Sequence, residues 1–261
     1  MPDTADPLER RSAFLFGAFG WYLRWLFWRR FNAVRLSRAG LPDAAVGRPL
    51  IICTNHPSWW DPACFILLTS LLFPDRKGFG PMDQVALGKY GVLARMGVFG
   101  IELESRRGAA QFLEQSSRIL AHPTSVLWIT AQGAFADARE RPIRLRAGIA
   151  HLLRRAPEAI VLPLAMEYPF WNEGKPEVLA RFGPPLAGGR ERSVAEWTAV
   201  LEAALTGTAD ALAAESVARD HRLFVRLLQG NVAVGAVYSG YRRLRALLRG
   251  QRMDVSHGGP E

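Results

Sequence analysis

A histidine and a carboxylate five positions apart are the residues of this chain best suited to chemistry. His56 and Asp61 lie in the segment 54–61, directly after an apolar, strand-like run. A neutral imidazole can take a proton from a hydroxyl near neutral pH, and a carboxylate can fix its tautomer and stabilise the imidazolium that forms. Pro57 and Ser58 disfavour a regular helix through the segment, so the two side chains can fold back toward each other. The pattern predicts His56 as a general base oriented by Asp61. The alternative is a histidine that caps the strand end and bonds its own loop.

Length, charge and cysteine content limit the classes to which the chain can belong. Its 261 residues suffice for one α/β domain with a real core. The 33 Lys and Arg against 24 Asp and Glu give a formal charge of +9 and predict an anionic partner. The basic runs lie beside Trp, Phe and Leu, and no nucleic-acid motif is present, so we expect a membrane surface and no nucleic acid. Cys53 and Cys64 are expected to be buried, reduced thiols, and no spacing suggests a metal site.

The segment 13–28 is dense in aromatic residues and is followed by Arg29 and Arg30. As a helix it would be about 24 Å long, short of a hydrocarbon core of about 30 Å, and Arg24 lies within it. Trp and Tyr with flanking Arg settle at the headgroup level. We therefore expect a membrane-interface helical segment over residues 1–44 and a peripheral or monotopic protein on the cytoplasmic face of a membrane rich in anionic lipid. A buried core helix is the alternative.

The residues between the two ends alternate between strand-like and helix-like patterns, and they are expected to form an α/β domain over residues 45–215. Basic amphipathic helices are expected over residues 216–253 and a disordered tail over 254–261. The predicted strands are 49–54, 77–82, 98–103, 125–130 and 160–166. The predicted helices are 61–73, 84–96, 107–120 and 147–155. This order predicts a mixed, largely parallel sheet flanked by helices, with ligands beyond the carboxyl ends of its strands.

Other catalytic signatures are missing from the sequence. It contains no G-x-S-x-G elbow, no phosphate-binding Walker loop, no H-E-x-x-H and no dinucleotide G-x-G-x-x-G. A nucleophilic serine hydrolase and a nucleotide-dependent enzyme both lose support.

The residues from Asn55 to Asp61 match N-H-x-S-x-x-D, the first motif of the lysophospholipid or 1-acylglycerol-3-phosphate acyltransferases. The chain resembles this family over residues 45–170. Residues 160–165 resemble the family's fourth motif, an apolar strand with a central proline, here Pro163. Residues 146–150 resemble the glycine-led helix that follows the third motif. The resemblance implies a glycerolipid acyltransferase-like fold, in which an amino-terminal interfacial helical motif is common.

The second and third motifs depart from the family pattern. Residues 97–103 resemble the second motif, with Leu103 where an arginine is expected. Residues 130–135 resemble the third, F-P-E-G-x-R, with Gln132 replacing the glutamate and Phe135 the arginine. The family's arginines are thought to grip the acceptor's phosphate, and hydrogen bonds to charged groups are each worth about 1.5–3 kcal/mol. We therefore expect an acceptor that depends less on phosphate, such as a glycolipid, a carotenoid glycoside, an amino-acid lipid, or a lysophospholipid held by its chain. The possible substitute cations are Arg106, Arg107, Arg139 and Arg141.

The resemblance implies acyl transfer from acyl-CoA or acyl carrier protein, as co-substrate, to a hydroxyl of a lipid, with no cofactor and no metal. His56 would be the base and Asp61 its partner, and backbone N–H groups would stabilise the oxyanion. A catalytically silent lipid-binding or scaffold protein on the same fold is the alternative. Residues implied in shaping the turn or binding substrates are Asn55, Ser58, Trp59, Trp60, Gln132, Gly133, Leu103, Phe135, Arg106, Arg107, Arg139 and Pro163.

Overall fold

The computed structural model describes residues 6–42 and 47–231, which are built around one mixed β-sheet. In this part of the chain the strands are β1 (Ala33–Ser37), β2 (Leu50–Thr54), β3 (Lys77–Asp83), β4 (Val98–Ile101), β5 (Ser125–Thr130), β6 (Ile160–Glu167), β7 (Val178–Phe182), β8 (Leu186–Ala187) and β9 (Phe224–Gln229). The helices are α1 (Pro7–Arg10), α2 (Ala13–Arg30), α3 (Asp61–Leu72), α4 (Gln84–Lys89), α5 (Arg106–Leu120), α6 (Gly148–Arg155) and α7 (Val194–Ala218).

The strands follow the order β4-β3-β5-β2-β6-β7-β1-β9, with β8 paired to β6. The five strands from β4 to β6 are mutually parallel. Beyond them, β7 runs antiparallel to β6, β1 runs parallel to β7, and β9 runs antiparallel to β1. The predicted fold class, a mixed and largely parallel sheet flanked by helices, is confirmed.

Helices cover both faces of the sheet, which explains why its central strands are continuous apolar runs. In β2, Ile51 and Cys53 face a core shared with α5, α6 and α7. Leu50 and Ile52 face the opposite core, shared with α2 and α3. Every residue of β2 is buried, so this strand gives the loop after Thr54 a rigid base.

Both ends of the chain contribute strands that the sequence did not predict. Residues 33–37 fall in the segment expected to be helical, yet they form β1 between β7 and β9. The prediction of helices over residues 216–253 is wrong for residues 224–229, which form the edge strand β9. Pairing with β1 provides hydrogen-bond partners for the backbone groups on one side of β9. Residues 232–261, which include the rest of that segment and the predicted tail, lie outside the described residues.

The aromatic segment forms α2, and its residues divide between two environments. Phe16, Gly20, Leu23 and Phe27 are buried at helical spacing against the sheet and α3. The other face exposes Phe14, Trp21, Tyr22, Trp25 and Trp28. One face of α2 therefore belongs to the core, and the other presents aromatic side chains to the surroundings. None of the helices in the described ranges combines the length and apolar content needed to cross a membrane.

The predicted helix over residues 84–96 is broken into two pieces. α4 ends at Lys89, and a separate 3-10 helix spans Gly91–Met96. Gly88 and Gly91 flank the break, where Tyr90 leaves the helical region with ψ 48°. Glycine weakens helix interiors, which explains the interruption.

Candidate active site

Adjacent strands deliver the candidate residues to one edge of the sheet. Thr54 at the end of β2 is in register with Thr130 at the end of β5 and with Leu164 of β6. Because the three strands are parallel, their following loops meet. These loops carry His56, Gln132 and Tyr168.

The turn after β2 is fixed by a double hydrogen bond from Asn55 to the end of β6. The Asn55 side-chain amide donates to the Met166 carbonyl at 3.0 Å, and its Oδ1 accepts from the Met166 N–H at 2.9 Å. The Ser58 hydroxyl accepts from the Trp60 N–H at 3.2 Å, and the Ser58 carbonyl accepts from the Asp61 N–H at 3.1 Å. This network folds the chain so that Asp61, the first residue of α3, returns toward His56.

His56 and Asp61 are in direct contact. The His56 Nδ1 lies 2.7 Å from Asp61 Oδ2, and the Asp61 side chain has no solvent exposure. Within the described residues, Asp61 also accepts from the Ser58 N–H at 3.1 Å and from the Tyr168 hydroxyl at 2.6 Å. A buried carboxylate is tolerated when donors surround it, and the amino terminus of α3 adds a favourable dipole. An ionised carboxylate only accepts hydrogen bonds, so the contact with Asp61 favours the neutral His56 tautomer that has its proton on Nδ1 and its acceptor lone pair on Nε2.

The loop after β5 packs directly against His56. Gln132 Oε1 accepts from the His56 N–H at 3.1 Å, so this N–H is not free for a substrate. The Ala136 N–H donates to the His56 carbonyl at 3.1 Å. The Phe135 ring contacts the imidazole in a tilted arrangement, with centroids 4.2 Å apart and 31° between the ring planes, yet 62% of Phe135 is exposed. One face of His56 is therefore covered by an aromatic ring at the protein surface.

A cavity of about 150 Å³ begins at His56 and Thr130 and is otherwise mostly apolar. Its walls include Phe16 of α2, Phe65 of α3 and Met96. The cavity follows β3 from Gly78 to Met82, a length of about 13 Å at about 3.3 Å per residue. The imidazole of His56 thus borders a mostly apolar space with room for part of a hydrocarbon chain.

Among solved structures, the chain is similar to the crystal structure of the 1-acyl-sn-glycerophosphate (LPA) acyltransferase PlsC from Thermotoga maritima. The TM-score is 0.49 at 15% identity, over 76% of this chain and 78% of that chain. No protein-family model and no curated protein matches the sequence. The chemistry of this chain is therefore inferred from its own side chains.

Three of the predicted substrate contacts are not among the residues that line the cavity. Trp60 packs edge-on against Phe27 and Phe31 in the core, with ring centroids 5.7 and 5.0 Å apart, whereas Trp59 is exposed. Pro163 is buried within β6 in register with Cys53, inside the sheet and short of its edge.

The predicted arginines are also dispersed. Arg106 and Arg107 are exposed at the start of α5. Arg139 is paired with Asp137 at 2.7 Å, and Arg141 is paired with Asp210 at 2.6 Å. The last two guanidinium groups already have carboxylate partners.

Leu103 and Gly133 lie in loops that are connected by a residue the motif analysis did not single out. Leu103 is 45% exposed just after β4. Its neighbour Glu104 accepts from Arg146 at 2.7 Å. A Cβ added at Gly133, whose φ is +72°, would lie 2.3 Å from Arg146 Nε, so only glycine lets the guanidinium cross this loop. Arg146 therefore connects the loop after β4 with the loop after β5.

Tyr168 was also missed by sequence reasoning. It lies 107 positions from Asp61 and belongs to no motif, although it follows an apolar strand as His56 does. The missing information was the strand order. Once β6 is known to lie next to β2, a polar side chain directly after β6 becomes a candidate for contact with the His56–Asp61 pair.

Proposed function

We propose that this chain is a membrane-associated O-acyltransferase that moves a fatty acyl group from acyl-CoA or acyl carrier protein to a hydroxyl of a lysophospholipid-like or glycolipid-like acceptor. One observation carries the proposal. The His56 Nδ1 is held by the buried Asp61, while the ring lines an apolar cavity suited to an acyl chain.

The chemistry needs one base and good positioning. The Nε2 of His56 takes the proton of the acceptor hydroxyl while its oxygen attacks the thioester carbonyl. The tetrahedral intermediate collapses, the carbon–sulfur bond breaks, and the leaving thiolate takes the proton back from the imidazolium. A thiolate leaves readily, so no covalent nucleophile of the protein is required. Asp61 stabilises the imidazolium during both steps.

The surroundings of His56 favour an acceptor that does not depend on a phosphate. Phe135 covers the imidazole and Leu103 is apolar, while Arg139 and Arg141 are already paired with carboxylates. Two lost charged hydrogen bonds at about 1.5–3 kcal/mol each correspond to a loss of about 10²–10⁴ in affinity for a phosphorylated acceptor. An aromatic ring instead offers a flat apolar face to a sugar or a hydrocarbon.

The exposed face of α2 supports attachment to a membrane surface. Trp21 is 74% exposed, and the guanidinium of Arg29 lies 5.7 Å from the Trp25 ring centroid. Amphipathic aromatic rings with neighbouring arginines suit the interface of an anionic leaflet. We propose a peripheral or monotopic attachment on the cytoplasmic face. Sedimentation with phosphatidylcholine vesicles, with and without phosphatidylserine, tests this: Trp21→Ser/Trp25→Ser should lose binding, and unchanged binding would contradict it.

The activity is tested by incubating the purified protein with labelled acyl-CoA, or with acyl carrier protein, and a total lipid extract. Mass spectrometry of the new lipid identifies the acceptor. His56→Ala should abolish transfer, and His151→Ala, at an exposed histidine of α6, should not. If the folded wild-type protein transfers no acyl group to any acceptor, the alternative of a silent lipid-binding protein stands.

A further inference from the structure

Tyr168 lies just beyond β6 and reaches across to the carboxylate beside His56. Its hydroxyl donates to Asp61 Oδ1 at 2.6 Å, and its ring packs against Phe31 with centroids 6.0 Å apart. We propose that Tyr168 is a positioning residue that fixes the rotation of the Asp61 carboxylate and thereby holds His56 as the Nδ1–H tautomer. The kinetic part of this inference rests on the proposed function, whereas its structural part does not.

The two oxygens of Asp61 have separate partners. Oδ2 accepts from His56 Nδ1 and from the Ser58 N–H, and both donors belong to the same turn as Asp61. Oδ1 accepts from Tyr168, which is anchored to a different strand of the sheet. The terminal torsion of an aspartate is broad, so a carboxylate bonded only within its own turn can rotate with that turn. The hydrogen bond from Tyr168 ties the carboxylate to a part of the fold outside this turn and so limits its rotation.

The hydroxyl of Tyr168 remains a donor over the working pH range. Burial, followed by the nearby Cys64 and Asp61, raises the pKa of Tyr168 well above its usual value. Burial and Asp61 likewise raise the pKa of the Cys64 thiol well above its usual value. Apart from His56, these are the titratable groups that the described residues place against Asp61. None of the neighbours therefore brings a second negative charge to the site near neutral pH.

Tyr168→Phe tests the inference because it removes the hydroxyl and keeps the ring that packs on Phe31. Tyr90→Phe is the matched control, since Tyr90 is exposed at the end of α4. Both variants should retain the far-UV circular dichroism of the wild type. The readout is the ¹⁵N NMR spectrum of histidine-labelled protein, with the His56 signals assigned by their loss in His56→Gln.

We expect a protected Nδ1–H resonance from His56 in the wild type and in Tyr90→Phe. In Tyr168→Phe it should broaden or disappear, with Nε2–H tautomer signals appearing. In the transfer assay, kcat should fall about tenfold with the acceptor KM within about twofold, because Tyr168 is not among the residues that line the cavity. Tenfold is the effect of about 1.4 kcal/mol. A purely structural tyrosine would lower the unfolding temperature without changing the tautomer.

An unchanged Nδ1–H resonance in folded Tyr168→Phe would overturn the inference, and so would an unchanged kcat. If the wild-type protein has no transferase activity, the proposed function fails, and the NMR comparison still decides the role of Tyr168. The two failures are therefore distinguishable.

Discussion

Replacing Asp61 with asparagine separates the charge of this carboxylate from its hydrogen bonds. Asparagine has nearly the same shape, and its Oδ1 can accept from the His56 Nδ1–H and the Ser58 N–H. Its Nδ2 then faces the Tyr168 hydroxyl, whose oxygen can accept a hydrogen bond. The turn and the tautomer of His56 should persist, so the variant loses mainly the negative charge.

The size of the effect follows from the geometry of the pair. With 2.7 Å between Nδ1 and Oδ2, the centres of charge of an imidazolium and this carboxylate are about 4 Å apart. At an effective dielectric constant of about 20, their attraction is about 4 kcal/mol. This stabilisation exists only when His56 has accepted the proton, as it does in the transition state. Its loss corresponds to a fall in kcat of about 10³.

The assay is acyl transfer under saturating donor, with kcat and the acceptor KM measured separately for Asp61→Asn. Asp210→Asn, at a carboxylate that is 61% exposed on α7, is the matched control and should retain full activity. Thermal unfolding checks that both variants are folded. A folded Asp61→Asn protein with kcat within threefold of the wild type would refute the assignment of Asp61 as the partner of the base.

Three further predictions address the acceptor, the thiols and the buried ion pair. Phe135→Arg places a cation beside His56. The preference for phosphorylated over uncharged acceptors, measured as the ratio of their kcat/KM values, should therefore rise about tenfold or more. An unchanged ratio in competition assays would contradict this. Burial raises the pKa of Cys53 to about 12. Since the folded state then holds a proton that the unfolded state releases above pH about 8.5, Cys53 should lower the free energy of unfolding by about 1.4 kcal/mol per pH unit between these values. Cys53→Ala, measured by denaturant titration in reductant, should reduce the slope by this amount and leave the contribution of the buried Cys64, and an unchanged slope would contradict the prediction. Arg35→Met should lower the free energy of unfolding by about 3–5 kcal/mol, because it leaves the buried Glu177 without its cation at 3.1 Å, whereas Arg35→Met/Glu177→Leu should recover most of the loss in the same titration.

The sequence predicts the central strands well and the flanking strands poorly, for physical reasons. β2 and β5 are buried on both faces, so their apolar runs are unambiguous, and they begin or end within one residue of the prediction. β1 and β9 contain arginines, and each becomes a strand only through pairing between residues almost 200 positions apart. Such tertiary pairing has no local signature, so the terminal segments were predicted as helices.

The same distinction applies to the site. His56 and Asp61 are five positions apart and were predicted together from one turn, and the loop after β5 was expected beside them because parallel strands end at one edge. Tyr168 and Arg146 act across the fold, so their roles depend on strand order and on the course of distant loops. Predicted contacts such as Trp60 stay predictions: Trp60 packs against Phe27 and Phe31, and an aromatic residue next to a site is equally suited to the core.

The positions that depart from the family pattern retain what the base needs and lose what a phosphate would need. Gln132 has no charge, yet its Oε1 accepts the His56 N–H that a carboxylate oxygen would also accept. Phe135 carries no charge, yet its ring contacts the imidazole. Burying a carboxylate costs free energy of folding, yet the fully buried Asp61 is held against His56 beside a cavity. In a protein without catalysis, no function would offset this cost. This pattern favours the proposed enzyme with an altered acceptor over a silent scaffold, because the substitutions fall on positions expected to contact the substrate and spare the proposed proton-transfer pair.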